Sequence, residues 1–221
     1  MISILMATYS GHKYIKRSLD SILNQTYENF EILIGLNGEN TETKKILEGY
    51  NDPRIRIFDY MGDKGKVKTL NKLLKESKYE IIGIQDDDDI WVGTKLETQI
   101  PLFKDFDVVG TFIQYINENE GSSEWGNGPS LSINHQDITK GIQSGDNQIA
   151  NTSALFRKSD ALLIGGWKEE FEGIEDYDFW ARLMKSGKQF INIPEVLVLH
   201  RIHRTSNFNF NNYDKSRLMG S

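Results

Sequence analysis

Short apolar runs alternate with amphipathic segments along the first part of the chain. The runs cover residues 2–7, 30–36, 54–58 and 79–85. They are rich in β-branched residues or alternate in polarity, which is typical of strands. Between them, apolar residues recur at helical spacing after Ser10, which can cap its helix, after Thr41 and after Gly65. Strands that alternate with helices predict an α/β fold with a mostly parallel central sheet and helices on both faces.

The alternation weakens in the rest of the chain. Residues 117–148 are rich in Gly, Asn and Ser and have little periodicity. A stretch of this length without regular structure is typical of a mobile binding loop or lid. The other predicted elements are helices over 95–103 and from Glu175, and strands over 106–112, 151–157, 191–193 and 196–199.

Composition and charge exclude several classes of protein. The net charge of −6 and the pI near 5.3 are opposed to a surface that binds nucleic acid through its phosphates. The chain has no cysteine, which rules out disulfides and thiolate metal sites. No apolar run approaches the length of about 18 residues that a membrane helix needs, and the apolar residues after Met1 are too few for a signal peptide. A chain of 221 residues is therefore expected to form one large domain and to be cytoplasmic.

Four consecutive carboxylates, Asp86 to Asp89, follow directly on the apolar run at residues 79–85. Two like charges about 6 Å apart at an effective dielectric of about 20 repel by roughly 3 kcal/mol, so the run predicts a cation close by. Alternation along an extended chain would place Asp86 and Asp88 on one face. Two hard oxygen ligands with an otherwise open shell suit Mg²⁺ or Mn²⁺ shared with a phosphate-bearing ligand. A solvated acidic turn is the alternative interpretation.

Several polar residues come where predicted strands end. Thr8 and Tyr9 follow the first strand, Asn37 ends the second, and Gly65 precedes the helix after the third. In a parallel sheet the carboxyl ends of the strands lie at one edge, where ligands bind. These residues and the acidic run are therefore expected to converge.

Six motifs occur along the chain in a fixed order. They are Ala7-Thr8-Tyr9-Ser10, Ser21-Ile22-Leu23-Asn24-Gln25-Thr26-Tyr27, Lys68-Thr69-Leu70-Asn71, the acidic run, Gly165-Gly166-Trp167 and Glu175-Asp176-Tyr177-Asp178. Each motif alone is weak, but their order over residues 2–205 resembles the inverting family 2 glycosyltransferases, which have the GT-A fold. One departure is Asn37-Gly38, where that family usually has Asp-Gly. Asn keeps an acceptor oxygen but loses the charge, which leaves the identity of the nucleotide base open.

The resemblance implies that the acidic run is the D-x-D motif of the family. Asp88 is the expected direct ligand of Mn²⁺ or Mg²⁺, and Asp86 would reach the metal, the ribose or a metal-bound water. Asp87 would be the spacer within this nucleotide-sugar-binding motif. Asp89 would be a supporting group on the acceptor side. The bound metal would act as a Lewis acid for the departing nucleotide.

The C-terminal histidines are expected near the same metal. In many GT-A enzymes a histidine in this part of the chain contacts the metal or the diphosphate, and His203 is the residue assigned to that role. His200 is the alternative. The flanking arginines could equally bind the diphosphate.

The resemblance also implies where the catalytic base lies. An inverting transfer is one in-line displacement, during which a base accepts the proton of the acceptor hydroxyl. Asp176 is the expected base, with Glu175 beside it. A helix N-terminus lowers the pKa of a carboxylate, whereas burial and neighbouring acids raise it. The alternative is that Glu175, Asp176 and Asp178 only favour the start of a helix.

Further binding residues follow from the same resemblance. Tyr9 would stack on the nucleotide base, and Thr8 and Asn37 would hydrogen-bond to it. Lys68 would reach the diphosphate. Trp167 would form part of the acceptor-binding floor, because sugars pack their apolar faces on aromatic rings. A tryptophan in the core is the alternative for Trp167.

The implied reaction moves a sugar from a nucleotide-diphosphate sugar, with UDP expected, to a hydroxyl of a saccharide or lipid-linked glycan, as in surface polysaccharide biosynthesis. Residues 1–110 would bind the donor, residues 111–205 would bind the acceptor and catalyse transfer, and residues 206–221 would be a tail. A lipid-linked acceptor would bring peripheral contact with the membrane. The sequence leaves the oligomeric state open.

Two other functions compete with this one. A nucleotidyltransferase that makes sugar nucleotides would need a glycine-rich, basic phosphate loop after the first strand, where this chain has a single glycine, Gly11. The other is a sugar- or metal-binding module that has lost catalysis: the presence of Asp86, Asp88 and Asp176 together speaks against it, whereas Asn37 is compatible with it.

Overall fold

The computed structural model describes residues 1–60, 62, 65–124 and 126–203, so the predicted tail lies outside the described residues. The strands are β1 (Ile2–Thr8), β2 (Phe30–Asn37), β3 (Ile55–Tyr60), β4 (Ile81–Ile84), β5 (Ile90–Trp91), β6 (Val108–Ile116), β7 (Leu155–Arg157) and β8 (Phe190–Arg201). The helices are α1 (Ile15–Leu23), α2 (Thr41–Glu48), α3 (Lys66–Glu76), α4 (Lys95–Gln99), α5 (His135–Gln143), α6 (Lys158–Leu163) and α7 (Glu175–Lys185).

One mixed sheet contains all of these strands, in the order β3-β2-β1-β4-β7-β6-β8-β5. β1 pairs in parallel with β2 and β4, and β2 pairs in parallel with β3. The short strand β7 is antiparallel to both of its neighbours, and β5 is antiparallel to β8. β6 and β8 are parallel. The predicted α/β class is confirmed; the sheet is parallel through β1 to β4 and mixed beyond them.

Helices cover both faces of the sheet, as predicted. Along β1, Ile4 and Met6 belong to one hydrophobic core and Leu5 belongs to the other, because successive side chains of a strand point to opposite faces. The first core is closed by α1, α2 and α4, and the second by α3, α5, α6 and α7. In α1, Ile15 and Leu19 are fully buried at helical spacing, which explains the apolar stripe in the sequence.

The structure corrects the prediction for residues 117–148. Residues 135–143 form α5, whose Ile138 and Ile142 are buried in the second core. The Asn134 side chain accepts a hydrogen bond of 3.0 Å from the backbone N–H of Asp137 and so caps this helix. Two apolar residues in a polar segment were too weak a periodic signal to predict a helix. This part of the segment belongs to the scaffold.

Two further predictions near strand ends were wrong. Ser10 does not cap a helix: its φ is 58°, and a short 3₁₀ turn at Gly11–Lys13 separates it from α1. The strands predicted at 191–193 and 196–199 are one strand, β8, in which Pro194 coincides with a shift of register against β6. Pro194 interrupts the pattern because it has no N–H to donate to the ladder.

Candidate active site

The acidic run forms a turn between β4 and β5. The backbone N–H of Asp89 donates to the carbonyl oxygen of Asp86 at 3.3 Å. The predicted extended chain, with Asp86 and Asp88 on one face, is therefore wrong. Instead, each of the four carboxylates lies against a different partner.

Asp86 and Asp87 lie on the side of β1 and α3. The Asp86 Oδ1 atom is 2.8 Å from Lys66 Nζ, and Asp87 accepts a hydrogen bond from the Thr8 hydroxyl. Burial and the charges of the neighbouring acids, Asp88 first among them, raise the pKa of Asp87 to about 8, although the bond from Thr8 opposes this. The bond from Thr8 makes Asp87 a partner of β1 rather than the predicted spacer.

Asp88 and Asp89 lie on the side of β8. Asp88 Oδ2 is 2.8 Å from His203 Nε2, and Asp89 Oδ2 is 2.9 Å from His200 Nδ1. Burial raises the pKa of Asp88, but the hydrogen bond with His203 and the charge of His200 outweigh it, so this pKa is lowered. Asp89 is completely buried and also accepts from the backbone N–H of Arg201 at 2.8 Å. The prediction that Asp89 binds the acceptor is wrong, because none of its surface is open.

Strand pairing explains why the histidines meet the acidic turn. β5 begins directly after the turn, and its Ile90 pairs with Leu199 of β8. The residues that follow Leu199 therefore run alongside the turn. The Arg201 guanidinium adds a second link, because its Nε donates to the carbonyl oxygen of Asp88 at 2.9 Å. The predicted proximity of His203 to the acidic run is confirmed.

The donor atoms of this turn fit a divalent cation only in part. Among the residues that the structure describes, no group of three or more His, Asp and Glu side chains is placed to hold a metal ion. Asp88 Oδ2 and His203 Nε2 are 2.8 Å apart, and two neighbouring ligands in an octahedron with bonds of about 2.1 Å lie about 3 Å apart. The pair thus fits one edge of a Mg²⁺ or Mn²⁺ site whose other ligands are water and phosphate. Asp86 is turned towards Lys66.

Lys66, rather than the predicted Lys68, lies at this site. Its Nζ is 2.8 Å from Asp86 and 3.5 Å from Glu175 Oε1, so it bridges the acidic turn and α7. Burial lowers the pKa of Lys66, but Asp86 and Glu175 raise it well above its ordinary value, so the side chain is a cation. Lys68 is instead 3.4 Å from the exposed Glu169. Two residues along a helix turn the side chain by about 200°, which places Lys68 on the other side of α3.

Asp176 has the surroundings of a base. Its Oδ1 accepts from the Tyr177 N–H and its Oδ2 from Asn147 Nδ2, each at 2.8 Å. Burial and the neighbouring Glu175 raise its pKa to about 6, with the charge of Lys66 opposing them. The Tyr177 N–H and the Asn147 amide also lower this pKa, but burial and Glu175 outweigh them. Asn147 was missed because the sequence placed it in a lid without a defined role.

The predicted nucleotide side is formed by the ends of β1 and β2. Tyr9 is 65% exposed, and its ring lies against Gly38, where a Cβ atom would be 2.6 Å from Tyr9 Cε2. Thr8 is completely buried and its hydroxyl is bonded to Asp87, so the prediction that Thr8 hydrogen-bonds the base is wrong. Asn37 is buried at the last position of β2. Stacking on Tyr9 and a base contact from Asn37 stay predictions.

Trp167 lies in the second core and not on an acceptor-binding floor. It is 2% exposed, and its ring stacks on Phe179 with the centroids 4.5 Å apart. The Asn71 amide donates to the Trp167 carbonyl at 2.7 Å and accepts from the Trp167 N–H at 3.0 Å. These contacts explain why Asn71 and Gly165-Gly166-Trp167 occur together in the sequence: they join α3 to the turn after α6.

Trp167→Phe is expected to lower the free energy of unfolding by about 1 to 2 kcal/mol, because the smaller ring leaves a cavity against Phe179. Among the described residues, Trp167 Nε1 has no hydrogen-bond partner, so the substitution removes no polar contact there. Urea unfolding measures the change, and donor affinity should stay the same. Unchanged stability together with weaker acceptor binding would restore the acceptor role.

Comparison with known proteins identifies the family. The family model described as Glycosyl transferase family 2 matches residues 3–162, which include the acidic turn and Lys66. The chain belongs to this family. The resemblance seen in the motifs is confirmed, and this family 2 member is a glycosyltransferase. Glu175, Asp176 and His203 lie beyond the matched range, so their roles depend on the geometry described above.

Two curated relatives match this chain over most of its length. The chain is 36% identical over 212 residues to the O-antigen biosynthesis glycosyltransferase WbnJ of Escherichia coli, with 93% of this chain and 81% of WbnJ covered. It is 27% identical over 208 residues to an E. coli enzyme named UDP-Glc:alpha-D-GlcNAc-diphosphoundecaprenol beta-1,3-glucosyltransferase WfgD, with 93% and 79% covered.

Solved structures confirm that this family 2 member has the GT-A fold. TarS 1-349 of S. aureus in complex with UDP-GlcNAc gives a TM-score of 0.73 at 17% identity, over 93% of this chain and 60% of that one. The mannosyltransferase PcManGT of Pyrobaculum calidifontis in complex with GDP-Man and Mn²⁺ gives 0.69 at 16% identity, over 93% and 58%. The chain thus spans about three fifths of these proteins. In the described residues, no helix has the length and apolarity to span a bilayer.

Proposed function

We propose that this glycosyltransferase moves a sugar, with inversion, from a UDP-sugar to a hydroxyl of a saccharide or lipid-linked glycan during surface polysaccharide synthesis. One observation carries the proposal: Lys66 bridges Asp86 of the acidic turn and Glu175 beside Asp176, so a donor-side acid and the proposed base share one site. The names of WbnJ and WfgD and the UDP-GlcNAc held by TarS support the substrate class. A lipid-linked acceptor would place the enzyme at the membrane surface.

The donor half of the site carries the charges that a diphosphate needs. Asp88 and His203 would hold Mn²⁺ or Mg²⁺, which supplies a Lewis acid for the departing nucleotide when bound. The cationic Lys66 faces the same space and would attract a diphosphate oxygen once the donor competes for it with Asp86. Tyr9 offers its exposed ring to the base.

The acceptor half needs one proton acceptor. The hydroxyl oxygen of the receiving saccharide forms its bond to the anomeric carbon as the bond from that carbon to the diphosphate oxygen breaks. Asp176 accepts the hydroxyl proton, and the nucleotide leaves with the electron pair. Asn147 and the Tyr177 N–H hold the Asp176 carboxylate in place, which fixes the direction in which it accepts the proton.

A panel of nucleotide sugars with Mn²⁺ tests the function. The expected result is thermal stabilisation by one UDP-sugar, and slow Mn²⁺-dependent release of UDP from it in the absence of acceptor. Formation of a sugar nucleotide from a nucleoside triphosphate and a sugar 1-phosphate would favour the nucleotidyltransferase. Binding without any release or transfer would favour the non-catalytic module.

The value of kcat/KM should fall as the pH drops through about 6. The reason is that Asp176, whose pKa is raised to about 6, must be ionised to accept a proton and is protonated below that value. Lys66→Met should move the midpoint of this fall to higher pH, because the charge of Lys66 lowers the pKa of Asp176. Lys68→Met is the matched control and should leave the midpoint in place. A flat profile between pH 5 and 7 would contradict the assignment of Asp176.

A further inference from the structure

Asn40 links the two loops that carry the proposed nucleotide-base side. It stands immediately before α2, where an asparagine side chain usually accepts a hydrogen bond from the first turn of the helix. The Asn40 side chain accepts no such backbone bond. It turns back to the carboxyl ends of β1 and β2 and is only 7% exposed there.

All hydrogen-bonding positions of this amide are used. Asn40 Nδ2 donates to the carbonyl oxygens of Thr8 at 2.9 Å and Asn37 at 2.7 Å, the last residues of the two strands. Asn40 Oδ1 accepts from the Ser10 N–H at 2.6 Å and from the Thr43 hydroxyl at 3.1 Å. An amide has two N–H donors and one oxygen with two lone pairs, so Asn40 has nothing left to offer a ligand.

These bonds fix the position of Tyr9. The residues on either side of Tyr9, Thr8 and Ser10, are both bonded to Asn40. Ser10 has a φ of 58°, a left-handed conformation that costs a serine energy unless its neighbours hold it. The bond to the Asn37 carbonyl restrains the backbone immediately before Gly38, and the Tyr9 ring lies against Gly38. The exposed ring is thus held from both loops by one buried side chain.

We infer that Asn40 is a positioning residue for nucleoside recognition, acting through Tyr9 and Asn37 and not through the diphosphate or the reacting atoms. The inference rests on the proposed function, because it needs a nucleotide donor. Its consequence is selective: loss of Asn40 weakens the contribution of the nucleoside to binding and spares the chemistry of the acidic turn.

Asn40→Asp tests this with the smallest change of shape. The carboxylate keeps the acceptor oxygen that Ser10 and Thr43 use, but it replaces the NH₂ group with a second oxygen, which loses the two donors and faces the carbonyls of Thr8 and Asn37. The expected result, by isothermal titration calorimetry in Mn²⁺, is roughly a 30-fold higher Kd for UDP and less than about a twofold change for pyrophosphate. At saturating donor, kcat should stay within about twofold of wild type while the KM for the donor rises. A merely structural role would lower the active fraction and leave KM unchanged.

Two further variants keep the test decisive. Thr43→Val removes one bond to the same Asn40 oxygen without touching either loop, and the Kd for UDP should change by less than about twofold. Asn40→Thr keeps one donor and one acceptor, and it should give an intermediate Kd if Asn40→Asp does not fold. Equal UDP affinity in wild type and both Asn40 variants would overturn this inference alone. A wild-type protein that binds pyrophosphate but no nucleotide would overturn the proposed function as well.

Discussion

Asp176→Asn is expected to reduce transferase turnover by roughly 1,000-fold while donor affinity stays within about twofold of wild type. Asparagine has the shape of aspartate but cannot take up the proton of the sugar acceptor's hydroxyl group. The donor contacts proposed for the acidic turn, Lys66 and Tyr9 are left in place. Release of UDP measures turnover, and calorimetry with the UDP-sugar measures affinity.

Asp178→Asn is the matched control for this experiment. Asp178 lies in the same first turn of α7, but its carboxylate pairs with Arg182 at 2.5 Å and takes no part in the site. We expect a small loss of stability and turnover within about twofold of wild type. If Asp176→Asn kept near-wild-type turnover, another group would have to be the base.

Asp88→Asn should have the second large effect, on binding. We expect roughly a 100-fold or greater loss of Mn²⁺-dependent affinity for the UDP-sugar, because a neutral amide replaces the carboxylate that we propose as the anionic metal ligand beside His203. Affinity measured in EDTA should stay the same, since the metal makes no contribution there. Titration of the UDP-sugar with and without Mn²⁺ separates the two.

Asp52→Asn controls for the loss of a charge. Asp52 pairs with Arg54 in the turn before β3, away from the acidic turn, so this variant should show the full effect of Mn²⁺. An Asp88→Asn protein that responds to Mn²⁺ like wild type would show that the ion is held elsewhere.

Much of the fold could be predicted because its signals are local. The apolar runs that became β1, β2 and β4 are buried, and the stripe of α1 has the period of a helix. Parallel strands then require their carboxyl ends to share one edge, which is why Thr8 and the acidic run were expected to meet. The bond between Thr8 and Asp87 shows that they do.

Lys66 was missed because its role depends on the side of the helix from which its side chain projects, and a sequence predicts this poorly. Lys66 and Lys68 are both cations near a strand end, and only the start of α3 at Lys66 decides which one faces the acids. Its position directly after Gly65 was the available signal, because the first residue of such a helix lies at the binding edge of the sheet.

Burial was the second source of error. Tryptophan and aspartate often bind sugars and metals in open sites. Here Trp167 is stacked on Phe179 in the core, and the buried carboxylate of Asp89 is paired with His200. The pattern of one segment does not reveal what packs over it from residues far along the chain. The helix α5 was missed for a related reason, since its stability comes from packing on the second core and not from its own periodicity.

The stereochemistry of the first-formed sugar shows whether Asp176 acts as the base of one displacement, because a single displacement must invert the anomeric carbon. The measurement is ¹H NMR of the sugar that wild-type enzyme releases from the preferred α-linked UDP-sugar with Mn²⁺, recorded before mutarotation. We expect the β-anomer first, at a rate that Asp176→Asn reduces about 1,000-fold. The α-anomer as first product, or equal rates from the two proteins, would contradict it.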